Sequence, residues 1–216
     1  LLNKLTAQDV VSTPSVFQLM PHRQVMKFVD ENLQPLQLDL YDPEVWKRYG
    51  WSVIYSSPEF RRKYANTAGT DGHSDADLDA YLAATLRRAR RFHQALDSQD
   101  TNSPVVLLAI GGDCEETLSA PLVMRDEKRN RWLTLTRPRD YRTSAGVKIS
   151  KQKATQAMYA PGDGRVTRAS LLGENIFQVQ TLSRYTVFGC DLHGQLPRNK
   201  ILQDNTLTAI VGEAIN

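Results

Sequence analysis

Histidine and cysteine are scarce in this chain. Its 216 residues include 4 histidines and 2 cysteines. His22, His73, His93 and His193 are scattered, with no short His/Cys spacing of the kind that holds zinc, so no metal is expected. Cys114 and Cys190 fix no redox compartment. Two buried thiols are the simpler expectation, with a disulfide between them left open. No apolar run approaches the ~18–20 residues that a membrane-spanning helix needs. No signal peptide is visible, but the sequence starts at Leu1 in mid-pattern, so compartment stays open. Gly111-Gly112 lacks the rest of any phosphate-cradling loop, and no cofactor is expected. Internal repeats and low-complexity tracts are missing too.

What remains is ordinary globular composition, 41% hydrophobic and 24% charged, fitting one domain or a domain plus a cap. A net charge of +3 is too weak to argue for nucleic acid.

The first hundred residues read as mostly helical. Thr6-Ala7-Gln8-Asp9 is a weak helix cap, and Pro14 and Pro21 bracket a short apolar run. Residues 22–75 read as irregular and rich in aromatics. Within them Asp42 caps a short helix with Pro43 at its first position and Gly50 at its end. Tyr41, Trp46, Tyr49 and Trp51 could line a ligand, but packing of a small subdomain is the simpler reading. The clearest helix covers 74–97. Ser74 caps it, Asp75, Asp77 and Asp79 crowd its start, and Leu78, Leu82, Leu86, Ala89, Phe92 and Leu96 recur at helical steps. Arg87, Arg88, Arg90 and Arg91 read as its solvated face. Gly72-His73-Ser74-Asp75-Ala76 imitates a nucleophile elbow, but polar residues precede it where a buried strand is needed, so Ser74 reads as a cap.

Beyond Ser103-Pro104 the character changes. Val105–Ile110 is a continuous apolar run suited to a strand covered on both faces, ended by Gly111-Gly112. The expectation is a helical cap over 1–103 and a sheet-forming core over 104–216, an α/β fold. Leu122–Met124 and Trp132–Thr136 read as a hairpin. From Arg125 to Lys153 ten Lys/Arg (125, 128, 129, 131, 137, 139, 142, 148, 151, 153) face three acids (126, 127, 140). Such a stretch could meet anionic lipid headgroups, although a mobile, solvated basic loop is the blander reading. Tyr185–Cys190 reads as a strand and Lys200–Ile215 as a closing helix.

The chemistry concentrates in Gly162-Asp163-Gly164 and, further on, Asp191-Leu192-His193-Gly194. A carboxylate in a glycine-flanked turn and a later histidine after an apolar strand follow the acid-then-base order of α/β-hydrolase relays. In such a relay the Asp orients the imidazole and the His moves the proton. Asp163 and His193 are the candidate pair. Taken singly, each is an ordinary turn Asp or loop His; the order and the preceding apolar segments argue for catalysis. No partnering serine elbow is present.

Several segments, in order, resemble the lecithin:cholesterol acyltransferase-like family of α/β hydrolases. They are Ser15–Pro21; Tyr41-Asp42-Pro43 with Trp46 and Gly50-Trp51; Gly111-Gly112 with Thr117; Gly162–Val166 with Ser170; and His193-Gly194 with Leu196 and Asn199. The likeness spans most of the chain, and the Gly-Asp-Gly piece is its most specific part. Arg165 stands where the family usually has Thr, Thr167 where it has Pro, and Pro197 where some members place the histidine. The resemblance implies the C-terminal part of an α/β-hydrolase sheet with a mostly helical cap. It also implies Asp163 as the acid, His193 as the base, and a nucleophilic Ser supplied by an N-terminal segment of the same protein. Lipid or other ester substrates would be split through a serine acyl-enzyme, with transfer to water or alcohol.

One feature, geometry, separates this reading from a non-catalytic binding module. Relay partners bring the Asp163 carboxylate within about 3 Å of the His193 ring. The edge of the Val105–Ile110 run also needs a companion segment to cover it.

Overall fold

A computed structural model describes residues 6–22, 27–65, 75–97, 108–173 and 186–214. In chain order the helices are α1 (Ala7–Ser12), α2 (Pro43–Tyr49), α3 (Val53–Ser56), α4 (Pro58–Ala65), α5 (Asp75–Leu96), α6 (Lys151–Met158), α7 (Arg168–Leu172) and α8 (Lys200–Ala214). The strands are β1 (Phe28–Val29), β2 (Pro35–Leu36), β3 (Ala109–Gly112), β4 (Glu115–Leu118), β5 (Leu122–Asp126), β6 (Arg131–Leu135), β7 (Tyr141–Arg142), β8 (Lys148–Ile149), β9 (Tyr159–Gly162) and β10 (Thr186–Gly189). The protein is thus a mixed α and β chain of helices and small sheets. It divides into one unit of 1–22, 37–99 and 124–134 and another of 23–36, 100–123 and 135–216.

The first unit gathers around α5. Leu82, Leu86 and Ala89 lie on one face of that helix and are buried with Val11, Phe17 and Ile54. Leu78 packs against this cluster, while Phe92 and Leu96 are exposed. The apolar stripe therefore faces the core along its first four turns only. The Thr6 cap is a full capping box, its hydroxyl and the Asp9 carboxylate each meeting the other's backbone N–H. Asp42 caps α2, and Gly50 ends it in the left-handed region. Tyr49 and Trp51 stack at 5.1 Å, and Trp46 meets Trp51 edge-on. Both indole N–H groups are satisfied, by the Leu40 carbonyl and the Thr134 hydroxyl. These rings pack a subdomain, as the simpler reading had it.

At the end of α5 two histidines far apart in sequence meet. His22 and His93 stack at 4.2 Å, and His22 Nε2 lies 3.2 Å from an Asp97 carboxylate oxygen. His93 is buried, with Nε2 2.9 Å from the Gln18 carbonyl and Nδ1 against the Tyr41 hydroxyl. The Gln18 carbonyl can only accept, so Nε2 donates and Nδ1 accepts from Tyr41. Burial pushes His93 below its ordinary value of 6.5. The Gln18 carbonyl and Asp97 oppose this, and the neighbouring His22 adds to it. The fold therefore prefers the neutral ring, and the unfolded chain takes the proton first as pH falls. Stability contributed by His93 is full above about pH 6.5 and drains as pH drops through 6.5 toward the lowered folded value. Urea midpoints at pH 7.5 and 5.5 are expected to differ in that direction, with His93→Gln flattening the difference. An unchanged slope in the variant would contradict this.

The second unit carries short sheets. β1 pairs β2 antiparallel and meets β5 in parallel through Val29 and Leu122. β3 and β10 run parallel with Gly112 opposite Gly189, β4 pairs β9 antiparallel, and β7 pairs β8. Buried Leu122, Val123, Met158 and Thr117 anchor this unit.

Several expectations need correction. The described residues between 22 and 75 are not irregular; β1, β2, α2, α3 and α4 lie among them. The two-residue strands carry too few alternations to read, and α3 and α4 are short. Gly111-Gly112 does not end the apolar strand but forms half of it: both glycines pair with β10, and the Leu171 side chain and the Asp163 turn leave no room for a Cβ at either. The hairpin is present, β5 and β6 lying side by side in one sheet with Arg125 over the Trp132 ring, but the rest of the basic stretch is not a loop, since β7, β8 and the start of α6 lie within it. Its ten basic residues are shared between the two units. Gly72, His73 and Ser74 of the imitation elbow, Ser103-Pro104, Val105–Leu107, Tyr185 and Ile215 lie outside the described residues.

Candidate active site

Three strand ends in the second unit converge on one turn. β9 runs into Gly162-Asp163-Gly164, β3 ends at Gly112, and β10 leads through Cys190 to His193. Gly112 is where the turn rests: a Cβ there would lie 2.8 Å from Asp163 Cβ and 2.9 Å from the Asp191 carbonyl oxygen. Only glycine lets the Asp163 backbone lie this close to the end of β3.

The Asp163 side chain is held at both oxygens. Oδ1 accepts the backbone N–H of Arg165 at 2.9 Å and of Val166 at 2.7 Å. Oδ2 lies 2.8 Å from His193 Nδ1. The two loops are also tied by backbone, since the His193 N–H donates to the Asp163 carbonyl at 2.8 Å. The Asp163 side chain is 4% exposed and that of His193 53%, so the carboxylate sits below the ring and the ring faces outward. Burial pushes the Asp163 carboxyl up. The Val166 N–H, the His193 ring and the Arg165 N–H outweigh it and hold the group below its ordinary 3.8. Asp163 is therefore an anion at neutral pH. A carboxylate accepts only, so Nδ1 of the neutral ring carries the proton and Nε2 keeps its lone pair. Among the described residues Nε2 has no hydrogen-bond partner. Such an arrangement leaves Nε2 able to accept a proton while the carboxylate holds the ring.

Asn199 secures the histidine loop from the other side. Its amide nitrogen donates to Asp191, and its amide oxygen accepts the Leu202 N–H at the start of α8. An open cavity of about 560 Å³ adjoins the ring, lined by His193, Ile110, Leu196, Leu202, Leu207 and Ile210.

The cysteines correct the expectation of two thiols. Cys114 and Cys190 form a disulfide, with Cα atoms 5.1 Å apart. The parallel register explains it: Gly112 pairs with Gly189, and each cysteine follows its strand's glycine within two residues. Neither sulfur is thus available as a nucleophile. Among the described residues no three His, Cys, Asp or Glu side chains gather to hold a metal.

Both sequence-predicted site residues, Asp163 and His193, are therefore in direct contact. The roles of Gly112, Asn199 and the disulfide were not read from the sequence. Two glycine-terminated strands, each followed closely by a cysteine, were the available signal. Comparison with protein-family models, with curated proteins and with solved structures gives no match.

Proposed function

We propose that this chain supplies the acid–base half of a serine-hydrolase relay, as the C-terminal part of an α/β-hydrolase-type lipase or acyltransferase. The observation that carries the reading is the Asp163–His193 contact at 2.8 Å, made by a buried, backbone-fed carboxylate to an outward-facing ring. An incidental Asp-Gly turn in a binding module has no reason to orient an imidazole. Asp163 holds the ring and supports its charged form. His193 Nε2 takes the proton from a serine hydroxyl as that oxygen attacks an ester carbonyl, then returns it to the departing alkoxide. Water or a second alcohol, deprotonated by the same Nε2, then releases the acyl group. The serine belongs to a segment outside these 216 residues. Likeness in sequence to the lecithin:cholesterol acyltransferase-like α/β hydrolases supports the order of the relay and points to lipid esters. The apolar groove beside the ring fits an acyl group.

The purified 216-residue chain is expected to hydrolyse a p-nitrophenyl ester no faster than buffer, whereas the intact gene product turns it over. Turnover by the 216-residue chain, abolished by His193→Ala, would contradict the assignment of the nucleophile to another segment.

A further inference from the structure

We infer that Thr117 is a positioning residue for the Asp163–His193 pair, holding the carboxylate turn through its side-chain hydroxyl; this rests on the relay reading of the site. Thr117 lies in β4, opposite Ala160 of β9, and is 1% exposed. A buried threonine in a short strand needs both sides of its hydroxyl satisfied. Oγ1 donates to the Glu115 carbonyl at 3.1 Å, which fixes the direction of the proton. That leaves its lone pairs facing the turn, and the Gly164 N–H donates to Oγ1 at 2.8 Å.

The bond sits beside the carboxylate that matters. Three successive backbone N–H groups follow Asp163. Those of Arg165 and Val166 go to its Oδ1, and that of Gly164 goes to Thr117. The first two tie the side chain to its own turn. The third ties the turn to the neighbouring strand pair, which fixes where Oδ2 points. Gly164, at φ +83°, carries no side chain that could pack, so the bond to Thr117 anchors this peptide. The approach is close: a Cβ on Gly162 would lie 2.5 Å from Thr117 Oγ1 and 2.8 Å from Thr117 Cβ. Glycine at 162 is what allows the threonine to reach the turn. The β4–β9 ladder is made by backbone and does not depend on the hydroxyl. Removing the hydroxyl is therefore expected to free the turn while the strands stay paired, and to let Oδ2 leave the His193 ring.

The test is nuclear magnetic resonance of the 216-residue chain labelled with ¹⁵N-histidine. The wild type is expected to show a downfield Nδ1–H proton on His193 that Asp163→Asn abolishes. Thr117→Ser, which keeps the hydroxyl, retains the signal. Thr117→Val and Thr117→Ala lose it, while the amide signals of β4 and β9 persist. In the intact enzyme the same two variants lower kcat about 10²-fold, as a displaced catalytic group does, and Thr117→Ser restores it. A wild-type His193 without an Asp163-dependent Nδ1–H signal would overturn the relay reading itself. A retained signal in Thr117→Val or Thr117→Ala would overturn the role of Thr117 alone. If both variants unfold, Thr117 is a fold residue and the inference also falls.

Discussion

Asp163→Asn is expected to lower kcat of the intact enzyme by roughly 10⁴-fold, the size of effect seen when a relay histidine is held in the wrong tautomer. The local geometry sets the direction. Asp163 Oδ1 takes two backbone N–H groups, from Arg165 and Val166. In the Asn variant the amide oxygen must stay there, because an NH2 group cannot accept. The NH2 then faces His193 Nδ1. The ring responds by accepting at Nδ1, which moves its proton to Nε2. An Nε2–H cannot take a proton from serine. The fold should survive, since the side chain keeps its shape and its two backbone partners. His193→Ala is expected to cost at least as much. Ester hydrolysis by the two variants, measured beside their amide spectra, checks this. A folded Asp163→Asn enzyme that loses less than tenfold would show that the contact does not carry the proton chemistry.

Replacing the cysteine pair should give the largest stability loss. Cys114 and Cys190 are 76 residues apart, and closing a loop of that length restricts the unfolded chain by roughly 4 kcal/mol in the chain-entropy account. The bridge also ties the start of the histidine loop to the turn after β3, three residues before His193. The Cys114→Ser/Cys190→Ser double variant is therefore expected to unfold at a much lower urea midpoint. Reducing the wild type should reproduce the change, and the reduced double variant should show no further change. A loss below about 1 kcal/mol would mean that the loop is already confined when unfolded. Disulfides of this kind persist in oxidising compartments, which is where an intact bridge is expected.

The Asp163–His193 contact was legible because both residues carry local signals. Asp163 stands in a turn that two glycines announce, and His193 follows an apolar strand. Their contact needed only the order of the two loops. The long helix over α5 was legible from its repeating leucines and its acidic start, and Asp42 and Gly50 marked the ends of α2. What stayed hidden depends on partners distant in sequence. β4 contains Glu115-Glu116-Thr117, polar residues that give no strand pattern, and it forms only because β9 lies alongside. The disulfide follows from the parallel pairing of β3 with β10, which no spacing within either segment reveals. The stacked His22 and His93 come together through the packing of the α5 end against the segment before Pro21 and His22. Thr117 was visible as a residue of a family-like turn, but its bond to Gly164 was not. In the basic stretch charge outweighed pattern, and the short strands and α6 were read as loop.

The most direct test of the central claim is covalent labelling of the intact gene product with a fluorophosphonate, followed by mass spectrometry of the modified peptide. The account predicts one adduct, on a serine outside residues 1–216, and its loss in His193→Ala. An adduct on a residue within this chain, or labelling that ignores His193, would contradict it.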